Sequence, residues 1–180
     1  MEPSVKIGNH LFPLPMSPKP EPPPRPEGFQ RVSDVLQRLD HAHAPLWLEV
    51  AARTSQEAAD ALGVALGQIA KSVVFRRKAD DQAVLVIASG DRRVDEARLS
   101  AIVGAVGRAD AAFVKARTGF AIGGVSPVGL LDAPMLLLDR DLQRFGEIWA
   151  AAGHPNGVFR LTPEDLQRLT CAAWADVVCS

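Results

Sequence analysis

Two neighbouring apolar segments constrain the fold of this chain most. Residues 71–77 (KSVVFRR) and 82–89 (QAVLVIAS) are rich in β-branched residues, and a polar segment, KADD, separates them. Runs of this kind bounded by turn residues are typical of strands, so the pair predicts an antiparallel hairpin. Apolar runs at 45–51, 134–139 and 157–161 predict further strands. The chain therefore contains a sheet in which hairpins are prominent.

Helices are predicted between these strands, and capping residues mark where two of them begin. Apolar residues at helical spacing predict a helix over 33–42. Thr54 and Glu57 have the spacing of a capping box, which begins a short helix that ends at Gly63. Thr162, followed by proline, caps a terminal helix. This uneven alternation indicates a single α+β domain with a mixed, largely antiparallel sheet and surrounding helices, rather than a Rossmann fold.

The first 27 residues differ from the rest of the chain. Nine of its fourteen prolines lie there, ending in PKPEPPPRPEG. Such a composition favours extended polyproline II and cannot pack a core of its own. We therefore expect a proline-rich arm over 1–27 and a folded domain over 28–180.

Composition narrows the range of functions. The formal net charge is −1 at pH 7, so a nucleic acid would have to be held by a local basic patch. No apolar run approaches the ~18 residues of a membrane span, and prolines interrupt the N-terminus where a signal peptide would be apolar. We expect a cytoplasmic protein with no membrane partner. Cys171 and Cys179 lack zinc-type spacing, so reduced thiols and no metal site are predicted.

The stretch 118–129 (TGFAIGGVSPVG) is the first candidate for a functional site. A serine nucleophile is disfavoured, because the residue after such a serine donates its N–H to the oxyanion and Pro127 has none. The stretch also lacks the glycine spacing of the dinucleotide-binding fingerprint. Two alternatives remain: a tight turn, or a cradle in which Gly123 and Gly124 present N–H groups to an anion or a polarised carbonyl.

Lys71 is the second candidate, because it opens an otherwise apolar strand. A lysine at a strand end commonly keeps its ammonium group in water. The alternative is a fixed positive charge aimed into a pocket that holds a phosphate. The residues alone leave both alternatives open.

Taken together and in order, these segments resemble the YbaK/ProX family of aminoacyl-tRNA deacylases. The resemblance spans residues 30–178 and is carried by LGVALGQIAKSVVF, LVIASGDRRVD, TGFAIGGVSPVG, LLLDRDL and VFRLTPEDL. It implies a mixed α/β sheet structure that hydrolyses mischarged tRNA. It also implies that the reaction uses no metal, no other cofactor and no covalent nucleophile.

The resemblance also assigns roles to individual residues. Lys71 is expected to hold the 3′-terminal adenosine or its phosphate, and Gly123 and Gly124 to contact the aminoacyl group and the attacking water. These three are the predicted catalytic residues. Ser72 stands where relatives carry Thr or Asn and is expected to influence substrate choice. The predicted substrate-binding residues are Ser72, Ser126, Pro127, Gly129 and Asp139.

The predicted reaction is hydrolysis of the aminoacyl ester of a mischarged tRNA, with tRNA(Pro) carrying Ala, Cys, Ser or 2-aminobutyrate as the expected substrate. The expected partners are the tRNA acceptor end and prolyl-tRNA synthetase. Basic clusters at 76–78 and 92–93, expected close to Lys71, are candidates for tRNA contact. The alternative is a non-catalytic module that binds nucleic acid or aminoacyl-adenosine without turnover. The sequence leaves the amino acid and the oligomeric state open.

Overall fold

A computed structural model of the protein describes residues 4–7, 10–13 and 21–180. In chain order its helices and strands are β1 (Ser4–Ile7), β2 (His10–Pro13), α1 (Glu27–Arg38), β3 (Leu46–Trp47), α2 (Ser55–Leu62), β4 (Ile69–Arg77), β5 (Ala83–Ser89), α3 (Glu96–Val103), β6 (Val106–Arg108), α4 (Ala111–Thr118), β7 (Met135–Asp139), β8 (Ile148–Ala151), β9 (Gly157–Leu161), α5 (Pro163–Thr170) and β10 (Ala173–Ala175). Short 3₁₀ helices precede β4 and follow β7. Among the described residues, none of the helices has the length and apolarity needed to cross a membrane.

The main sheet has the strand order β10-β7-β5-β4-β8-β9-β3, with β6 paired to β4 in addition. Four of these seven pairings are antiparallel, namely β4 with β5, β4 with β6, β8 with β9, and β9 with β3. The other three are parallel. The predicted α+β fold with a mixed, largely antiparallel sheet is confirmed, as is the predicted hairpin, whose register runs from Ala70↔Ser89 to Arg76↔Ala83.

The core surrounds β5, in which all seven residues are buried. Helix α1 packs Phe29, Val32 and Leu36 into the largest of three clusters, together with residues from α4 and α5. Helix α3 packs Leu99 and Val103 into the second cluster, which includes Phe75 of β4. Helices therefore cover both faces of the sheet, as the apolar character of its central strands requires.

One edge of β4 is interrupted. Strand β5 pairs along one edge of β4, from Ala70 to Arg76. On the other edge, β8 pairs only with Ile69 and Ala70, and β6 pairs only with residues 75–77. Within the described part of the chain, residues 71–74 have no strand partner on that edge. We call this stretch the open edge of β4.

Two elements differ from the sequence prediction. The helix predicted over 33–42 spans Glu27–Arg38, because the apolar stripe begins at Phe29 and Pro26 precedes the helix without a capping side chain that would mark its start. His41 therefore lies beyond the helix. The strand predicted over 45–51 is reduced to Leu46–Trp47.

The capping motifs were predicted correctly. The Thr54 hydroxyl accepts a hydrogen bond from the Glu57 N–H at 3.2 Å, and the Glu57 carboxylate accepts one from the Thr54 N–H at 3.0 Å. The helix ends at Gly63, which adopts a left-handed conformation. At the start of α5, Thr162 and Asp165 form a second capping box. Such motifs act over three or four residues, which makes them readable from sequence.

The N-terminal arm contains a short antiparallel hairpin, with Ser4 opposite Pro13 and Ile7 opposite His10. These eight residues therefore differ from the polyproline II expected for the arm. Near its end, the Arg25 guanidinium lies 4.5 Å from the ring centroid of Trp47. Because a cation over an aromatic face is attracted to it, this contact fastens the end of the arm to the folded domain.

Candidate active site

A cavity of about 260 Å³ opens where β4 separates from β8. The start of β4 forms one wall and the glycine-rich stretch faces it, while the N-terminal end of α2 and the turn before β9 complete the lining. The lining residues include Arg53, Thr54, Ser55, Ile69, Ala70, Lys71, Ser72, Ile122, Gly123, Val125, Trp149, Pro155 and Val158. The cavity thus combines apolar walls with a few polar groups, as ligand sites commonly do.

Lys71 stands in the cavity wall with its ammonium group held in place. Its Nζ donates hydrogen bonds to the carbonyl oxygens of Gly90, at 3.3 Å, and Arg92. Burial lowers the pKa of Lys71, while the negative charges of Asp91 and Asp139 oppose that shift. An ammonium group has three N–H donors, so one remains for a ligand after the two carbonyls are satisfied.

A polar network fixes the segment whose carbonyls hold Lys71. The Asp139 carboxylate accepts a hydrogen bond from the Ser89 N–H at 3.0 Å. Arg144 donates to Asp91 at 2.9 Å, and Arg92 donates to Asp141 at 2.6 Å. Asp139 is only 1% exposed and does not line the cavity; burial raises its pKa. The structure therefore places it behind the site, where it positions the turn after β5.

Ser72 also lines the cavity, next to Lys71. Its Oγ is buried and has no hydrogen-bond partner among the described residues. A buried hydroxyl without a partner costs free energy, so this one suits a polar group of a ligand.

The two adjacent glycines of the glycine-rich stretch have different surroundings. Gly123 lines the cavity with φ +88°, a left-handed conformation that favours glycine. Gly124 lies outside the lining, donates its N–H to the Ala121 carbonyl at 3.0 Å and packs against the backbone of His154. Within the described residues, the N–H groups of Gly123 and Val125 meet no acceptor. The N–H of Ile122, which also lines the cavity, meets no acceptor there either, so the stretch offers these three groups to a ligand.

Ser126, Pro127 and Gly129 shape the stretch from outside the cavity. Ser126 is fully buried, and its Oγ accepts a hydrogen bond from the Val128 N–H at 3.2 Å. The Gly129 carbonyl accepts one from Arg31 at 2.7 Å. Of the eight residues predicted for the site, the structure thus brings Lys71, Ser72 and Gly123 to the cavity.

Sequence reasoning missed several residues of the lining. Arg53, Trp149 and Pro155 belong to segments distant in sequence from both candidate motifs, and no local pattern marks them. Thr54 did carry a signal, because its capping box places the N-terminal end of α2, and hence the positive end of a helix dipole, beside the cavity.

The basic clusters considered for tRNA contact lie in different places. Residues 76–78 follow Lys71 by five to seven positions, so at about 3.3 Å per residue they lie roughly 20 Å along the strand, and the prediction that they lie close to Lys71 is wrong. Arg76 pairs with Asp81 at 2.6 Å, and Arg77 pairs with Asp80. Arg92 does lie beside Lys71, but Asp141 neutralises it.

Comparison with known families decides what kind of domain carries this cavity. The model of the family described as Aminoacyl-tRNA editing domain matches residues 49–169, which contain the whole cavity lining. The chain belongs to this family. The resemblance drawn from the sequence motifs is therefore confirmed.

Individual relatives agree with this assignment of the editing domain. The uncharacterized protein YwhH of Bacillus subtilis (strain 168) is 37% identical over 131 residues, which cover 72% of this chain and 83% of that protein. A proline–tRNA ligase of Lactobacillus helveticus is 33% identical over 108 residues, which cover 59% of this chain but only 19% of the ligase.

Two solved structures share the fold of the editing domain. One, described as a proposed trans-editing enzyme for prolyl tRNA synthetase, has a TM-score of 0.80 and 37% identity, and the match covers 87% of this chain and all of that one. The other, the hypothetical protein APE2540, has a TM-score of 0.77 and 29% identity, covering 83% of this chain and 99% of that one.

His154 gives the editing domain a predicted pH dependence. Its Nδ1 accepts a hydrogen bond from the Asn156 N–H at 3.1 Å, and its ring stacks on Trp47 with 4.9 Å between centroids. Burial lowers the pKa of His154 below its usual 6.5. The unfolded chain therefore takes up a proton at a higher pH than the folded one. Stability from this group is fully present above about pH 6.5 and is lost as the pH falls through the folded pKa.

The variant His154→Asn tests this expectation, because asparagine offers an acceptor for the N–H two residues later but does not titrate. The free energy of unfolding, measured with urea at pH 7.5 and at pH 5.5, should fall more on acidification in the wild type than in the variant. Equal falls in the two proteins would show that another group is responsible.

Proposed function

We propose that this editing domain hydrolyses the aminoacyl ester of a mischarged tRNA, acting in trans on tRNA(Pro) that carries Ala, Cys, Ser or 2-aminobutyrate. The observation that carries the proposal is a small cavity lined by Lys71, whose ammonium two backbone carbonyls hold, and by Gly123 and Val125, whose N–H groups meet no acceptor among the described residues. The family match supports hydrolysis of an aminoacyl ester, and the relation to prolyl-tRNA synthetases supports tRNA(Pro) as the carrier. We place the reaction in the cytoplasm, downstream of prolyl-tRNA synthetase.

The proposed mechanism uses the backbone more than side chains. The ester carbonyl oxygen lies toward the N–H groups of Gly123 and Val125, which stabilise the negative charge that develops when water attacks the carbonyl carbon. The ester C–O bond then breaks, the ribose oxygen takes a proton, and the free amino acid leaves an uncharged tRNA. The substrate's own 2′-hydroxyl or α-amine relays the proton. An activated ester held in this orientation requires no metal and no covalent nucleophile.

Lys71 and Ser72 position the substrate in this proposal. The third N–H of the Lys71 ammonium donates a hydrogen bond to the 3′-terminal nucleotide. The Ser72 hydroxyl, which has no partner among the described residues, forms a hydrogen bond with a polar group of the aminoacyl moiety. Two backbone carbonyls hold the ammonium, so little reorganisation accompanies binding.

In this proposal the size of the cavity discriminates between the small, mischarged amino acids and the larger, correct one. At about 260 Å³ the space is smaller than the roughly 300–1,000 Å³ of most ligand sites, and the rigid apolar groups of Ile69, Val125 and Trp149 bound it. Attraction alone separates two ligands that differ by one methylene by only about 1–3 kcal/mol. We therefore expect exclusion of the larger, correct amino acid to protect properly charged tRNA.

The proposal is tested by incubating the purified protein with tRNA(Pro) charged separately with Ala, Ser, Cys, 2-aminobutyrate and Pro, and following loss of the ester. One or more of the small amino acids should be released, while prolyl-tRNA survives. Survival of every charged tRNA would favour the alternative, a module that binds aminoacyl-tRNA without turnover.

Removing the Ser72 hydroxyl should affect hydrolysis and not stability. In Ser72→Ala we expect about a tenfold fall in kcat/KM for the preferred ester, because the variant loses one hydrogen bond worth about 1.4 kcal/mol. The free energy of unfolding should be unchanged or slightly higher, because the lost hydroxyl has no hydrogen-bond partner among the described residues of the folded protein. Ser100→Ala on α3, outside the cavity, is the control. An equal fall of kcat/KM in both variants would show that Ser72 does not contact the substrate.

A further inference from the structure

A second, larger cavity of about 610 Å³ lies on the side of β4 where α3 packs. Its floor is apolar and includes Val73, Phe75 and Ala109. Its rim carries three cations, Lys71, Arg93 and Arg108, and one carboxylate, Glu96. We call this cavity the basic groove. Its volume falls within the ordinary range of ligand sites, roughly 300–1,000 Å³.

Among the described residues, the two arginines of the basic groove lack the carboxylate partners that most other arginines have. Ten arginines in the described part of the chain form ion pairs with carboxylates. Arg93 and Arg108 form none there, and their side chains donate no hydrogen bond to another described residue. Arg92, adjacent in sequence to Arg93, is paired with Asp141 at 2.6 Å. The groove therefore holds uncompensated positive charge, which Glu96 offsets only in part.

The basic groove and the first cavity meet at the open edge of β4. Lys71, the first residue of that edge, lines both cavities, and Val73 and Val74 line the groove. Because neither β8 nor β6 pairs with residues 71–74, no strand in the described part of the chain separates the two cavities at this edge. An extended ligand can cross β4 here with one end in each cavity.

We propose that the basic groove binds the single-stranded 3′ end of tRNA, with Arg93 and Arg108 contacting backbone phosphates while the terminal aminoacyl group lies in the first cavity. The proposal rests on the function proposed above. An apolar floor below a cationic rim suits a nucleotide, whose base packs on the floor while its phosphate meets the cations. It also explains how a chain with net charge −1 can hold a polyanion: the charge is local.

The first experiment measures binding without hydrolysis. The probe is an uncharged, fluorescein-labelled RNA oligonucleotide ending in CCA, titrated with wild type, with Arg93→Ala/Arg108→Ala, and with Arg38→Ala. Arg38 is the matched control, an exposed arginine in the last turn of α1 with no ion pair among the described residues. The double variant should bind at least tenfold more weakly. The slope of log affinity against log salt should fall by about 1.4, since each phosphate contact on a single strand contributes about 0.7. Equal binding by the double variant and by Arg38→Ala would overturn the proposal.

The second experiment separates the groove from the proposed hydrolysis. Alanyl-adenosine carries the ester but no phosphodiester, so the double variant should lose at least ten times more of its kcat/KM on alanyl-tRNA(Pro) than on alanyl-adenosine. Equal losses on both substrates would overturn the proposal that the basic groove binds the 3′ end of tRNA. If the wild type hydrolyses neither substrate, the proposed function fails; weaker RNA binding by the double variant would still support the groove.

Discussion

Replacing Lys71 by methionine is expected to lower kcat/KM for ester hydrolysis at least 100-fold. Methionine keeps an unbranched apolar stem in β4 but removes the ammonium group that the carbonyls of Gly90 and Arg92 hold at the cavity wall. A hydrogen bond to a charged group contributes about 1.5–3 kcal/mol, the upper end of which corresponds to roughly 100-fold or more in kcat/KM, and leaving a charged partner unpaired in a buried site costs more. The measurement is the initial rate of deacylation of the mischarged tRNA at concentrations below KM.

The matched control is Lys115→Met. The Lys115 ammonium also donates to a backbone carbonyl, that of Gly119 at 3.1 Å, but this residue does not line the cavity. Its loss should leave kcat/KM within a factor of three of the wild type. The assigned role of Lys71 would be wrong if both variants lost activity equally, or if Lys71→Met retained most of its activity.

Adding a single methyl group at Gly124 is expected to distort the candidate site, although Gly124 does not itself line the cavity. A Cβ at this position would lie 2.8 Å from the Cα of His154 and 2.9 Å from its backbone N, closer than van der Waals contact allows. Because the obstacle is backbone, the glycine-rich stretch has to move. We expect Gly124→Ala to lose about 1–3 kcal/mol of stability. Its kcat/KM should fall about 100-fold, the cost of misplacing catalytic groups by about 1 Å.

Gly146→Ala provides the comparison, because a Cβ there would meet nothing within 4 Å. Urea unfolding and deacylation of the same mischarged tRNA should show Gly124→Ala impaired in both and Gly146→Ala close to wild type. Full activity in a stably folded Gly124→Ala protein would contradict the view that contact with His154 sets the position of the Gly123 and Val125 N–H groups.

Much of the fold could be predicted because its signals are local. The strands of the β4–β5 hairpin lie a few residues apart, and each capping box involves residues three positions apart. The glycine-rich stretch and Lys71 were identified for a similar reason: unusual residues in a short segment. Elements without such signals were missed, among them β8, whose four residues carry no turn or capping residue that would distinguish them from a loop.

The shape of the site could not be predicted, because it depends on contacts between distant residues. The cavity opens where the pairing of β8 with β4 ends, and that pairing joins Trp149 to Ile69 across 80 positions. The different surroundings of Arg92 and Arg93 show the same limit of prediction from sequence. Both belong to one basic dipeptide, but among the described residues only Arg92 meets a carboxylate, and that carboxylate, Asp141, lies 49 positions away.

The open edge of β4 also bears on the solubility of the protein. Unpaired strand edges invite edge-to-edge association with other chains, and long, flat, apolar edges do so most. Here the unpaired stretch is four residues long and begins with a charged lysine, and paired strands block both of its ends. An added polypeptide strand, typically five or six residues, would collide with β8 or β6. The protein can thus leave a sheet edge accessible to a ligand without offering a template for aggregation.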